Sequence, residues 1–219
     1  MANRVFEDRL GIIIVNADRG VSRLPGIAAF SVKDVFLPRS ADPSHFAAVR
    51  AAGLYAHLWA AVDGLSTTDY ANRTLLDIQR LNPGAVELNI ELPSDPPLAQ
   101  YVTDAVTLIR SKRKALRLRV NVAPWKGFSF AALQTRWAKD VVLYACEQNY
   151  EGNMDNLLSA ADVLGDLTAW GVPPERATVC YAGACSVLGS SRIRTLPDLS
   201  RLKRGVIFQD DLMAEVGLL

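Results

Sequence analysis

The stretch Val86-Glu87-Leu88-Asn89-Ile90-Glu91-Leu92 alternates strictly, with Val86, Leu88, Ile90 and Leu92 on one side and Glu87, Asn89 and Glu91 on the other. A period of two is the signature of a strand with two unlike faces. The stretch Leu116-Arg117-Leu118-Arg119-Val120-Asn121-Val122 repeats the pattern with the opposite charge. Between them, residues 95–113 read as a helix, with Leu98, Tyr101, Val102, Ala105, Leu108 and Ile109 on one stripe. Strand, helix, strand is a crossover, and a crossover makes its two strands parallel neighbours. In an open α/β sheet helices cover both faces, so such strands are nearly all apolar. A polar face fits better inside a closed barrel, whose lumen holds paired charges and whose mouth carries the chemistry.

The remaining strand candidates agree with closure. Residues 10–17, 27–37, 54–62, 86–92, 116–123, 141–146, 177–182 and 205–208 are strand-like, and amphipathic helices fill most gaps. Asp42-Pro43 opens one helix, as an N-cap with proline at the first helical position, and Gly53 closes it. Ser66-Thr67-Thr68-Asp69 opens the next, which ends at Asn82-Pro83-Gly84. Helices over 129–139 and 154–170 follow later, and residues 19–26 look too short for a full helix. Eight strands with intervening helices in 219 residues predict an α/β fold, a single small (β/α)8 TIM barrel spanning 1–219. The alternative is an open doubly wound sheet. Against it, Asp18-Arg19-Gly20-Val21-Ser22 lacks the glycine spacing of either phosphate-binding loop.

Charge and residue usage narrow the function. A net charge of +1 gives no global field toward nucleic acid or an anionic membrane. The run Arg110-Ser111-Lys112-Arg113-Lys114 reads as a solvated helix C-terminus complementing the dipole. No apolar stretch approaches the roughly 20 residues that span a bilayer. The N-terminus has no signal-peptide pattern, so the expectation is synthesis in a cytoplasm without secretion by that route. Cys146, Cys180 and Cys185 are odd in number without a C-x-x-C pair, and the two histidines are His45 and His57. No metal and no cofactor is expected from such a set.

In a barrel of this kind function lies at the C-terminal strand ends. Those ends offer Asn16 and Asp18; His57, Trp59 and Asp63; Asn89 and Glu91; Asn121, Trp125 and Lys126; Glu147, Gln148, Asn149 and Tyr150; Tyr181; and Gln209, Asp210 and Asp211. Acids, amides and aromatics around one rim suit a carbohydrate, with rings stacking on a pyranose and carboxylates and amides taking its hydroxyls. Candidate ligand-binding residues are Asp18, His57, Trp59, Asn89, Asn121, Trp125, Tyr150 and Tyr181. Glycoside hydrolysis needs two carboxyl groups flanking the bond. Glu91 is the candidate acid, and Glu147, Asp210 or Asp18 its candidate partner. Structural alternatives stand beside these. Glu87 is expected to pair with Arg117 or Arg119 in the lumen, Glu91 could do the same, and Asp210-Asp211 could cap a short helix.

The run Ala51-Ala52-Gly53-Leu54-Tyr55-Ala56-His57-Leu58-Trp59 resembles the strand reading G-x-Y-H-F in family 25 lysozyme-type glycoside hydrolases. Glu87-Leu88-Asn89-Ile90-Glu91 resembles their strand ending in Asp-x-Glu. The stretches 141–150, 171–184 and 205–211 resemble the late strands of related barrels in actinobacterial phages. The resemblance implies Glu91 as acid and an altered partner at Asn89, where the family has a carboxylate. An amide cannot act as a base or carry the charge that stabilises an oxocarbenium-like transition state. The first-strand Asp-x-Ser pattern is also absent, since an apolar run follows Gly11.

The resemblance therefore implies a bacteriophage virion protein of the tail tip or baseplate (a minor tail protein), structural or binding cell-wall glycan, and catalytically degenerate. Its partners would be wall glycan and other tail proteins. The alternative is an active hydrolase of peptidoglycan or another polysaccharide using Glu91 with Glu147 or Asp210. A cytosolic barrel enzyme acting on another small molecule is a third reading.

Overall fold

The computed structural model of the chain describes residues 9–27, 32–62, 64–90, 97–122, 140–146, 177–181 and 204–208. In chain order the elements are β1 (Arg9–Ile13), α1 (Ala17–Val21), α2 (Leu24–Ile27), β2 (Val32–Pro38), α3 (Pro43–Ala51), β3 (Tyr55–Ala61) and α4 (Thr67–Leu81). They continue with β4 (Ala85–Asn89), α5 (Pro97–Lys112), β5 (Arg117–Val122), β6 (Asp140–Cys146), β7 (Ala177–Tyr181) and β8 (Arg204–Phe208). All eight strands are parallel, and β1 pairs with both β2 and β8, so the sheet closes into a barrel. Closure excludes the open doubly wound sheet. The helices expected over 129–139 and 154–170 lie outside the described residues.

Local chemistry sets the element ends. The first strand stops at Ile13 rather than running to residue 17, because Asn16 caps a helix there: its side chain accepts the Arg19 N–H at 3.1 Å. The connection expected to be too short for a full helix carries two short ones, of 5 and 4 residues. The second strand is described from Val32, and Ile27, the first residue of the segment expected to be strand, belongs to α2. Ser66 caps α4 by accepting the Asp69 N–H at 3.2 Å, and α4 ends on Asn82 in the left-handed region, φ 47°.

Alternation has a different meaning here from that in a half-exposed sheet. Every residue of β4 is buried. Val86 and Leu88 belong to the apolar layer between sheet and helices, together with Ile12, Val35, Leu37, Leu58 and Ala60. That layer meets Phe46 and Val49 of α3, Tyr70 and Ile78 of α4, and Val102, Ala105 and Ile109 of α5, all buried. Full burial of each large side chain contributes about 1.5–3 kcal/mol. Glu87 and Asn89 belong to the other surface, the lumen.

A polar network anchors the mouth side of β2 and β3 to α4. Arg39 follows β2 and is 7% exposed. Its Nε donates to the Ala61 carbonyl at 2.9 Å, its Nη1 to Asp77 Oδ2 at 2.6 Å and its Nη2 to Thr74 Oγ1 at 2.8 Å. The guanidinium lies 4.9 Å from the Tyr70 ring centroid, and the Tyr70 hydroxyl donates to the Ala60 carbonyl. Arg80 donates to the carbonyls of Arg39 and Ala41. The turn between β2 and α3 thus has its carbonyls satisfied by a neighbouring helix.

Tyr101 joins α5 to the start of α4, its hydroxyl donating to the Leu65 carbonyl at 2.8 Å. Burial pushes its pKa from 10.0 up to about 12, with smaller opposed effects of Arg39 and Asp69. The unfolded chain therefore loses this proton first, and stability falls as pH rises from 10 toward 12. Denaturation midpoints across that window should fall more steeply for the native chain than for Tyr101→Phe. Parallel curves would contradict the assignment.

Candidate functional site

The strand register arranges the lumen in levels. Pro38, Trp59, Glu87, Arg119 and Asp140 occupy adjacent register positions on β2 to β6. Two residues nearer the C-terminal ends, Ala61, Asn89, Asn121, Val142 and Thr178 form the next level. Glu87 is fully buried and Asn89 is 4% exposed, while Trp59 is half-buried. The arginine at the level of Glu87 is Arg119; Arg117 stands beside Ala85, one level lower, and is half-buried. Glu87, Arg119 and Asp140 thus follow one another in register across β4, β5 and β6. Asn89 and Asn121 are register partners two residues nearer the mouth. Glu91 lies outside the described residues.

His57 occupies a lower level than a rim residue would. It is the third residue of the seven in β3, level with Phe36, and 5% exposed. Its Nε2 is 2.6 Å from Asp34 Oδ1, and its ring centroid lies 5.0 Å from that of Phe36. A Cβ added at Gly84 would come within 3.3 Å of the ring, so a bare backbone there lets the imidazole seat against the start of β4. Asp34 was missed by the sequence reading. The available signal was a lone carboxylate inside the otherwise apolar run Val32–Pro38, which needs a buried partner.

Asp18 is near the mouth but apart from the lumen. It lies on α1, its side chain is 91% exposed, and its Oδ1 accepts from His45 Nε2 at 3.0 Å. His45 Nδ1 in turn accepts the Asp42 N–H at the start of α3. This contact fastens two short helices and leaves neither imidazole nitrogen available for substrate. Tyr181 ends β7, next to Ile207 of β8. Trp125, Tyr150, Glu147 and Asp210 lie outside the described residues, as do Asp63 and Asp211. The register sets Trp59 beside Glu87 and Asn89 beside Asn121, with His57 lower on β3, while Asp18 lies on α1. Among the described residues no three or more His, Cys, Asp or Glu are grouped as metal ligands would be.

No family model matches the sequence, and no curated protein matches it. Solved structures do match in shape. Active domain 2 of the thermostable chitinase from Pyrococcus furiosus aligns with a TM-score of 0.65 at 10% identity, over 92% of this chain and 83% of that one. The catalytic domain of a family GH18 chitinase from the fern Peteris ryukyuensis aligns at 0.58 and 10% identity, over 94% of each chain. Endonuclease IV from Thermus thermophilus aligns at 0.55 and 16% identity, over 96% and 97%. The class these likenesses define is the TIM barrel, a fold this chain shares with glycoside hydrolases. At such identities fold is what is shared, and function has to be argued from the site.

Proposed function

We propose that this chain is a carbohydrate-binding TIM barrel of the glycoside-hydrolase type, weak or inactive as a hydrolase, that serves in the tail tip or baseplate of a bacteriophage. Its glycan is that of the bacterial cell wall, and its other partners are neighbouring tail proteins. The observation that supports this most is the mouth-side level of the lumen, where Asn89 is buried beside the position of Asn121 and two residues before Glu91. Amides donate and accept at once, as sugar hydroxyls require. A carboxylate at that position would instead favour charge development at the anomeric carbon.

In this reading Glu91 is the acid of a reaction whose second carboxylate is missing at residue 89, and Glu147 or Asp210 would have to replace it. Trp59, Trp125, Tyr150 and Tyr181 supply stacking faces, and Asn89 and Asn121 polar contacts. Purified peptidoglycan fragments titrated against the chain should bind saturably, quenching or shifting tryptophan fluorescence, with little accompanying release of reducing ends. Mass spectrometry of purified virions should find the chain in the tail fraction. Absence of saturable glycan binding would remove the carbohydrate reading, and absence from virions the tail assignment.

A further inference from the structure

α4 and α5 pack along their length and leave an open groove of about 490 Å³ on their solvent side. Asn72, Leu75, Leu76 and Gln79 of α4 line it, together with Lys112 and Arg113 at the end of α5. Leu76 is 66% exposed, and Leu108, one turn before Lys112, is 38% exposed. A helix that follows a barrel strand returns the chain to the start of the next strand, so the last turn of α5 lies at the end opposite the mouth. A ligand in this groove leaves the lumen open.

The composition of the groove selects its occupant. Its centre is a leucine that water covers at a cost in free energy, amides stand on either side, and cations crowd one end. The groove is too open to enclose a small molecule. Among the described residues no carboxylate pairs with Lys112, Arg113 or Lys114. These cations also complement the helix dipole, but that effect is confined to the last turn and explains nothing about Leu76. With a net charge of +1 the whole chain exerts no general pull on polyanions, so the cations act locally.

We infer that the groove between α4 and α5 docks an acidic amphipathic helix of a partner protein, with its carboxylates against Lys112 and Arg113 and its apolar side chains on Leu76. This is the helix-in-groove mode of recognition with an electrostatic end-stop that sets direction. The inference does not depend on what the lumen binds.

The test uses the full chain and a labelled synthetic helix with leucines at i, i+4 and i+7 and three glutamates on the turn beyond. Anisotropy should show saturable binding that weakens as salt rises. Leu76→Glu, and separately the double variant Lys112→Glu/Arg113→Glu, should each weaken it by about tenfold or more. All three positions are exposed, so these variants should stay folded, the double variant losing only the few degrees of melting temperature that charge reversal at a helix C-terminus costs. Backbone amide shifts should move along α4 and the end of α5. Equal binding of a scrambled helix of the same charge, indifference to Leu76→Glu, or no binding would each overturn the inference. Tighter binding of phosphatidylserine vesicles or of a single-stranded oligonucleotide than of the helix would overturn it in favour of that class of partner.

Discussion

Asp77→Ala should lower the unfolding free energy by about 3–5 kcal/mol, the range for breaking a buried ion pair from one side. The carboxylate accepts from Arg39 at 2.6 Å, and the two side chains are 12% and 5% exposed. Without it the guanidinium stays inside, held by the Ala61 carbonyl, Thr74 and the Tyr70 ring but, among the described residues, with no other carboxylate paired to it. Escape to water would require opening the turn that Arg80 holds through the carbonyls of Arg39 and Ala41. For a domain of this length the loss corresponds to roughly 6–20 °C in Tm. Urea denaturation gives the free energy directly. The companion variant Arg39→Met/Asp77→Leu should recover most of the loss, because an apolar pair of similar volume leaves no charge stranded. A loss below about 1 kcal/mol for Asp77→Ala would mean that solvent already screens the pair, as at an exposed site.

Asn89→Asp should create or raise hydrolysis of wall glycan, and Glu91→Gln in that background should remove about 10²–10⁴-fold of it. The reasoning is chemical. An amide at residue 89 cannot take a proton or carry the charge that offsets an oxocarbenium-like centre, whereas a carboxylate can. The site is 4% exposed, so the new carboxylate is poorly hydrated and its attraction to developing positive charge is strong. Release of reducing ends from purified peptidoglycan reads the result. Robust turnover by the native chain that survives Glu91→Gln would show that other residues do the chemistry. Robust native turnover that dies with Glu91→Gln would make the chain a working hydrolase. Silence in every variant, with glycan binding intact, would leave a binding module.

The barrel was legible because two adjacent strands carry polar residues at every second position where an open sheet would have none. Glu87 and Arg119 could be read as neighbours from alternation and charge sign alone, but the choice between Arg117 and Arg119 needed the register, which is a property of the pairing and not of either strand. The depth of His57 was hidden for the same reason. A histidine within a strand looks alike at the floor and at the rim until the partner strand fixes the level, and its partner Asp34 lies on a strand whose register the sequence leaves unclear. Arg39 and Asp77 were invisible as a pair, because 38 residues separate them and nothing local marks either as buried. Helix starts were the most legible feature, since Ser66 and the Asp42-Pro43 pair act through bonds to their immediate neighbours.

The seat of His57 bears on the topology of any bound polymer. Asp34, Phe36 and His57 are each 8% exposed or less, so this part of the barrel is plugged below the level of Trp59. A long chain that enters from the mouth meets a floor on this side and has to leave by the way it came. If the ligand is the wall glycan proposed above, such a barrel would engage a strand laterally, across its opening, and leave both ends of the strand free. It would then grip a cross-linked mesh at interior points, where a threading tunnel would need a loose end.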